Sequence, residues 1–186
     1  MTKRRWILLL MQLPTSASTA RVSIWRRLRA AGATSVEHGA WMLPLEASHQ
    51  SLFTDMAETI DTAGGSAAIF EADAVGGDDA MIARFADDRA REYHEFTTRS
   101  QGLLDEIAKE KAAEKFTFAE LEEIEDDLKK LETWLGKIAA RDFFAGDKLI
   151  VARQTLESCA VAVRCFAARV YEAGGVSEPP GVSQGD

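Results

Sequence analysis

Positively charged side chains crowd the first 36 residues of the chain, and no Asp or Glu accompanies them. The seven cations are Lys3, Arg4, Arg5, Arg21, Arg26, Arg27 and Arg29. Such groups bind anions, either by charge-assisted hydrogen bonds to a small oxyanion or by contacts with nucleic-acid phosphates. Because a surface that is only solvated usually mixes both signs of charge, this composition indicates an anionic partner.

Charge is divided unevenly between this segment and the rest of the chain. The 186 residues have a net charge of −8, to which the first 36 contribute +7 and the others −15. This asymmetry favours nucleic acid, an acidic protein segment or a small oxyanion as the partner of one face. The simpler alternative is an ordinary surface helix whose arginines are only solvated.

A strand, a loop and a helix are predicted to position the cations. Residues 5–13 have the length of a strand and contain a continuous apolar run that Pro14 ends, and residues 18–31 have helical spacing. The loop and the helix start carry four hydroxyl residues: Thr15, Ser16, Ser18 and Thr19. Backbone N–H groups point outward at a helix start, so this loop is a predicted oxyanion site with Arg21 as its charged partner.

The outer face of the same helix offers a second candidate site. Its inward side is predicted to carry Ile24, Trp25, Leu28 and Ala31, with Val22 at the edge. Arg26 and Arg27 fall on the outer half, and Arg29 flanks the apolar side. Together with residues 3–5 as a neighbouring arm, these arginines are predicted to contact nucleic-acid phosphates.

The first 75 residues alternate strand and helix patterns in the order strand, helix, strand, strand, helix, strand. The last four elements are predicted at about 34–38, 40–44, 47–63 and 66–72. The inward residues of the second helix are predicted to be Leu52, Phe53, Met56 and Ile60. This order is typical of a ferredoxin-like βαββαβ sandwich.

Beyond the glycine-rich segment 75–79, every periodic signal is helical. Three helices are predicted, at 79–114, 118–141 and 147–173. The last two alternate apolar steps of three and four, and the loop between them is short, so they should pack as antiparallel neighbours.

The predicted fold class is therefore α+β, with three segments. A ferredoxin-like domain occupies residues 1–75, and an antiparallel helical hairpin or three-helix bundle occupies residues 78–173. Residues 174–186 contain Gly and Pro but no large apolar residue, which predicts a disordered tail.

Patterns for catalysis and metal binding are weak. His38, His49 and His94 are isolated, and each is expected to be solvent-exposed or locally hydrogen-bonded. Cys159 and Cys165 would lie about 9 Å apart along a helix, too far for a disulfide, and are expected to be small core-side residues. We therefore predict no enzymatic activity, no metal and no cofactor.

The N-terminus resembles a signal peptide only in outline. Residues 6–13 form an apolar run of eight residues, too short to span a bilayer and followed by Pro14 and a basic helix. We therefore expect a buried strand, a cytoplasmic protein and no membrane partner.

The stretch WILLLMQLPTSASTARVSIWRRLRAAGATSVEHGAWMLPL resembles the start of the chromate resistance regulator family, ChrB. The shared elements are Trp6, Gln12-Leu13-Pro14, Arg21-Val22, Trp25-Arg26-Arg27-Leu28, Gly32-Ala33 and Leu43-Pro44. The resemblance continues through GGSAAIFEA and ARDFF and covers nearly all of residues 4–172.

This resemblance implies a chromate-responsive transcriptional regulator that binds the DNA operator of a chromate resistance operon through its basic N-terminal half. A homodimer is expected. Longer family members continue into a C-terminal domain, so a separate chain of that type is an expected partner. If chromate acts on this chain as an effector, its dianion should lie between Arg21 and the hydroxyls of the loop at 15–19.

Two other function classes stay open. A protein-interaction or oligomerisation module would use the helices to pair with itself or another chain, and DNA would be irrelevant to it. An enzyme that handles oxyanions would need a redox group, and neither cysteine has a resolving partner near it in the sequence.

Overall fold

A computed structural model describes residues 4–76 and 78–175, so Lys3 and positions 176–186 of the predicted tail lie outside the described residues. The elements are β1 (Arg5–Gln12), α1 (Ser18–Ala30), β2 (Thr34–Glu37), β3 (Ala40–Pro44), α2 (Ala47–Thr62), β4 (Ser66–Asp73), α3 (Asp78–Ala112), α4 (Phe118–Ala140) and α5 (Asp147–Gly174). Each predicted element is present, and the α+β class is confirmed. Gly174, which the sequence assigns to the tail, still belongs to α5.

The four strands form one antiparallel sheet in the order β2-β3-β1-β4. Its central strand is β1, where Leu8 lies opposite Met42 on one side and Phe70 on the other. A continuous apolar run suits a strand that is paired on both edges and packed on both faces. With two helices in the connections, this strand order is the ferredoxin-like arrangement that the sequence predicts.

Alternate residues of β1 point to opposite faces of the sheet. Ile7 and Leu9 are buried in the core of the first unit. The buried helical residues in that core are Ile24 and Leu28 of α1, Phe53, Met56 and Ile60 of α2, and Phe85 of α3. Leu52, predicted inward, is only partly buried, whereas His49 on the same helix is buried.

A tight turn joins β2 to β3 at Gly39. The sequence predicts this turn, because Gly39 lies between the two short predicted strands. Gly39 has φ +78°, in the left-handed region, and a Cβ there would lie 2.4 Å from the carbonyl oxygen of Met11. The Met11 amide donates a hydrogen bond of 2.7 Å to the Gly39 carbonyl oxygen. The turn is therefore held against the end of β1 at a distance that only glycine permits.

The chain divides into two compact units, and the division does not coincide with the predicted boundary at 75–79. The first unit runs through Arg89 and also includes Ala140–Phe144. Phe85 of α3 stacks on Trp6 with ring centroids 5.7 Å apart, and Phe144 lies 6.0 Å from Trp6. These aromatic contacts explain why the start of α3 and the segment Ala140–Phe144 belong to the same compact unit as the sheet.

The second unit is helical and, within the described residues, comprises Ala90–Ala139 and Ala145–Gly175. The buried positions of α4 are Leu121, Ile124, Leu131, Leu135 and Ile138, and those of α5 are Ala152, Cys159, Val163, Phe166 and Val170. Successive buried positions in both sets are three, four or seven residues apart, the spacing expected of packed helices. Within the described ranges, no helix has both the length and the apolar character needed to cross a bilayer.

Candidate functional site

Of the six predicted cations that the structure describes, two are already paired with carboxylates. Arg5 Nη2 lies 2.6 Å from Glu71 Oε2, and its Nε lies 3.7 Å from Asp73 Oδ1. Arg29 Nη1 lies 3.8 Å from Asp88 Oδ1 on α3. Although the sequence segment contains no acid, the fold supplies acids to these two positions from β4 and α3.

Arg21 is hydrogen-bonded to the backbone of the strand-to-helix connection. Its Nη2 donates hydrogen bonds to the carbonyl oxygens of Pro14 (2.9 Å) and Leu13 (3.3 Å). No carboxylate lies within ion-pair distance of it among the described residues, so its positive charge is not compensated there. The guanidinium group therefore closes the strand-to-helix connection and stays exposed beside it.

The hydroxyl residues of this connection do not cap the helix. The N-cap position of α1 is Ala17, no side chain bonds to the first-turn amides, and the first turn contains no acid. The four predicted loop residues, Thr15, Ser16, Ser18 and Thr19, are all exposed. The positive end of the helix dipole therefore faces solvent with hydroxyl donors around it.

Arg26 lies on the outer half of α1, as predicted, whereas Arg27 lies at the edge of that half, next to α2. Arg26 is exposed and makes no ion pair or hydrogen bond within the described part of the chain. Arg27 is half-buried, and its Nη1 donates a long hydrogen bond of 3.5 Å to Thr59 Oγ1 of α2. The two arginines line a shallow groove of about 500 Å³ together with Ser18, Thr19, Val22 and Ser23.

Arg4 precedes β1 and is also free of carboxylates in the described structure. Its guanidinium carbon lies 4.7 Å from the centroid of the Phe144 ring, in a cation–π contact. Arg4 is exposed and keeps its charge. The residues Arg4, Arg21, Arg26 and Arg27 are named here the unpaired arginines.

Trp25 is a surface residue that the sequence pattern misplaces. The prediction that it faces inward is wrong, because 52% of its side chain is exposed, and Val22 beside it is 48% exposed. Ile24 and Leu28 are the buried residues of α1, with Ala20 partly buried against the same core, and Trp25 lies about 100° around the helix from Ile24. Its neighbours at steps of four are Arg21 and Arg29, a spacing that could have indicated an exposed aromatic among cations.

The histidines and cysteines, which are the other candidates for catalysis or metal binding, lie in positions less suited to those roles. His49 Nδ1 lies 2.8 Å from the Pro44 carbonyl oxygen and packs on Phe143, whereas His38 and His94 are exposed. Burial raises the pKa of the Cys159 thiol, which contacts the Ser100 carbonyl oxygen, while Cys165 is exposed, unlike the core-side position predicted for it. Among the described residues, no cluster of three His, Cys, Asp or Glu side chains could hold a metal ion.

Comparison with known proteins supplies the family. The family model described as "Protein ChrB, N-terminal" matches residues 21–176. A curated relative, protein ChrB of Cupriavidus metallidurans strain CH34, is 52% identical over 56 residues, which are 28% of this chain and 17% of that protein. The aligned stretch thus covers only a small part of the relative's length. The family match, in contrast, covers most of the chain, which therefore belongs to the ChrB N-terminal family.

Proposed function

We propose that this ChrB-family chain is a transcriptional regulator in chromate resistance that binds DNA through the outer face of α1 and catalyses no reaction. The observation that carries the proposal is the set of unpaired arginines in a protein of net charge −8. Two cations of the same segment, Arg5 and Arg29, have acquired carboxylate partners from elsewhere in the fold. Among the described residues, the four unpaired arginines have no carboxylate within ion-pair distance and are available to phosphates.

The groove on α1 has the composition of a phosphate-contacting surface. Arg26 and Arg27 supply charge, and the hydroxyls of Ser18, Thr19 and Ser23 supply neutral donors on the same face. Arginine side chains and serine or threonine hydroxyls are typical donors to phosphate and sugar oxygens, contacts that fix the position of a protein on a duplex.

The Arg26→Ala/Arg27→Ala double variant tests this assignment. We expect weaker DNA binding on every sequence, because two positive charges no longer meet phosphates. The log–log slope of affinity against salt should be shallower by about one unit for each phosphate that the protein no longer neutralises. The measurement is the fluorescence anisotropy of a labelled DNA duplex, taken from the region upstream of the gene that encodes this chain. The protein is titrated into this duplex at several salt concentrations.

A matched control removes the same charge from the second unit. The Lys148→Ala/Arg153→Ala variant removes two exposed cations of α5 and should keep the slope of the wild-type protein. Equal slopes for the wild type and the α1 double variant would exclude Arg26 and Arg27 from the interface. An equal decrease in affinity for both double variants would show that only net charge matters.

Chromate is proposed as an effector of this regulator, bound at the strand-to-helix connection. Exposed hydroxyls, an α1 start without a side-chain cap and the charge of Arg21 lie together there. Because Arg21 holds the carbonyls of Leu13 and Pro14, an anion that draws it away would loosen the connection into α1. If chromate is the effector, it should lower DNA affinity more than sulfate does at equal ionic strength.

The anisotropy assay measures this effect directly. Chromate and sulfate are titrated into the preformed complex of DNA with the wild-type protein and with the Arg21→Ala variant. The excess effect of chromate over sulfate should be smaller in the variant. Identical curves for the two anions on the wild-type protein would eliminate the effector role of this chain.

A non-catalytic interaction module is the second candidate, and apolar side chains on α5 favour it. Ile150, Val151 and Val161 are 56%, 51% and 44% exposed. The same DNA titration separates the two functions. Absence of any complex at low salt would exclude the regulator and favour the interaction module.

A further inference from the structure

The two edges of the sheet differ in how well they are protected. At one edge, β2 has only four residues, and its register shifts between Ser35 and Glu37. Arg84 Nη1 lies 3.2 Å from each of the carbonyl oxygens of Ser35 and Val36. A short strand, an irregular register and occupied carbonyls are devices that prevent an edge from pairing with another chain.

The edge formed by β4 has none of these devices. It is eight residues long, and it pairs with β1 in an unbroken register from Ser66 to Asp73. Its sequence, SAAIFEAD, contains neither Pro nor Lys. Within residues 4–76 and 78–175, no backbone hydrogen bond joins β4 to anything except β1. An open edge of this length is a template for another strand.

Phe70 lies near the middle of this edge and is 51% exposed. It lies opposite Leu8 of β1, on the face of the sheet that also carries the partly exposed Leu10. Ile69, which points to the other face, is already packed against the core of the first unit. Phe70 is thus the large apolar side chain of β4 that still lacks cover.

We propose that a second copy of this chain pairs with β4 antiparallel, with Phe70 opposite Phe70 at the two-fold axis. This axis is perpendicular to the sheet, so the same face of each copy lies on the same side of the joined sheet. Two residues that pair across the axis must therefore both have their side chains on that face. Centring the pair on Phe70 meets this condition and places two exposed aromatic rings side by side. The result is a continuous sheet of eight strands.

The charges of β4 are compatible with this register. Glu71 faces Ile69 of the second copy, and Asp73 faces Ala67, so no carboxylate lies directly opposite another. Arg5 also lies 2.6 Å from Glu71, and Gln50 Nε2 donates to the other oxygen of Glu71 at 2.6 Å. The negative charge at this end of the strand is therefore already partly compensated within each copy.

Disulfide cross-linking tests the register. In a Cys165→Ser background, which removes the exposed native thiol, Phe70→Cys places two thiols across the axis and should form a cross-linked dimer on mild oxidation. Ala68→Cys is the matched control, because in this register the two thiols are about 14 Å apart along the strands. Equal cross-linking of the two variants, or none in Phe70→Cys, would overturn the register.

Sedimentation of the full chain tests the interface without cross-linking. The wild-type chain should be a dimer, and Phe70→Asp, which places two carboxylates across the axis, should be a monomer with an unchanged circular dichroism spectrum. Val161→Asp removes another exposed apolar side chain and should remain a dimer. A monomeric wild type, or a dimer that survives Phe70→Asp, would overturn the proposal. If Phe70→Asp does not fold, the comparison of cross-linking in Phe70→Cys and Ala68→Cys tests the proposal instead.

Discussion

Replacing Trp6 with alanine is expected to lower the free energy of unfolding by about 3–5 kcal/mol. Trp6 is 2% exposed and stacks on Phe85. Its indole nitrogen donates a hydrogen bond of 2.8 Å to Asp78 Oδ1. Truncation would leave a large cavity between the sheet and α3 and an acceptor without its donor. Chemical denaturation followed by far-ultraviolet circular dichroism measures the decrease.

Trp25→Ala is the matched control for this prediction. It removes the same side chain from an exposed position on α1, and its effect should stay within about 0.5 kcal/mol. If both variants were destabilised equally, Trp6 would not be the aromatic centre of the first unit. DNA affinity should respond in the opposite order, since Trp25 lies beside the unpaired arginines on the proposed interface.

Alanine at Gly39 is expected to destabilise the protein by about 2–5 kcal/mol, because two costs combine there. The left-handed backbone strains any residue with a Cβ by about 1 kcal/mol or more. The added carbon would also meet the Met11 carbonyl oxygen at 2.4 Å, so the turn or the end of β1 must move.

Gly64→Ala separates the two costs. Gly64 has φ +75°, nearly the same as Gly39, but a Cβ there meets nothing within 4 Å. Denaturation of both variants should show a destabilisation of about 1 kcal/mol at Gly64 and a clearly larger one at Gly39. Equal destabilisation would mean that the turn relaxes freely away from Met11.

The order of elements could be predicted from the sequence because each signal is local. The apolar run of β1, the glycines at 32 and 39, and the alternating steps of α4 and α5 all act within a few residues of their own position. The ferredoxin-like order follows from the succession of these local patterns, and the strand pairing confirms it.

The candidate site was predictable only in part, because charge pairing is decided by residues far apart in the sequence. Arg29 meets Asp88, and Arg5 meets Glu71 and Asp73, although all seven cations look equally free in the sequence. Trp25 was misplaced for a related reason. A helical wheel gives the order of side chains around α1, but not the width of the side that the sheet covers.

The aromatic segment at 140–144 has a consequence for how genes of this family can recombine. A single crossover between α3 and α4 would join the sheet of one parent to the Phe143 and Phe144 of another. These rings touch Trp6, Phe85 and His49, so they must match the parent that supplies the sheet. Exchange of the helical half between relatives that differ in this segment therefore needs junctions on both sides of residues 140–144 to keep these contacts.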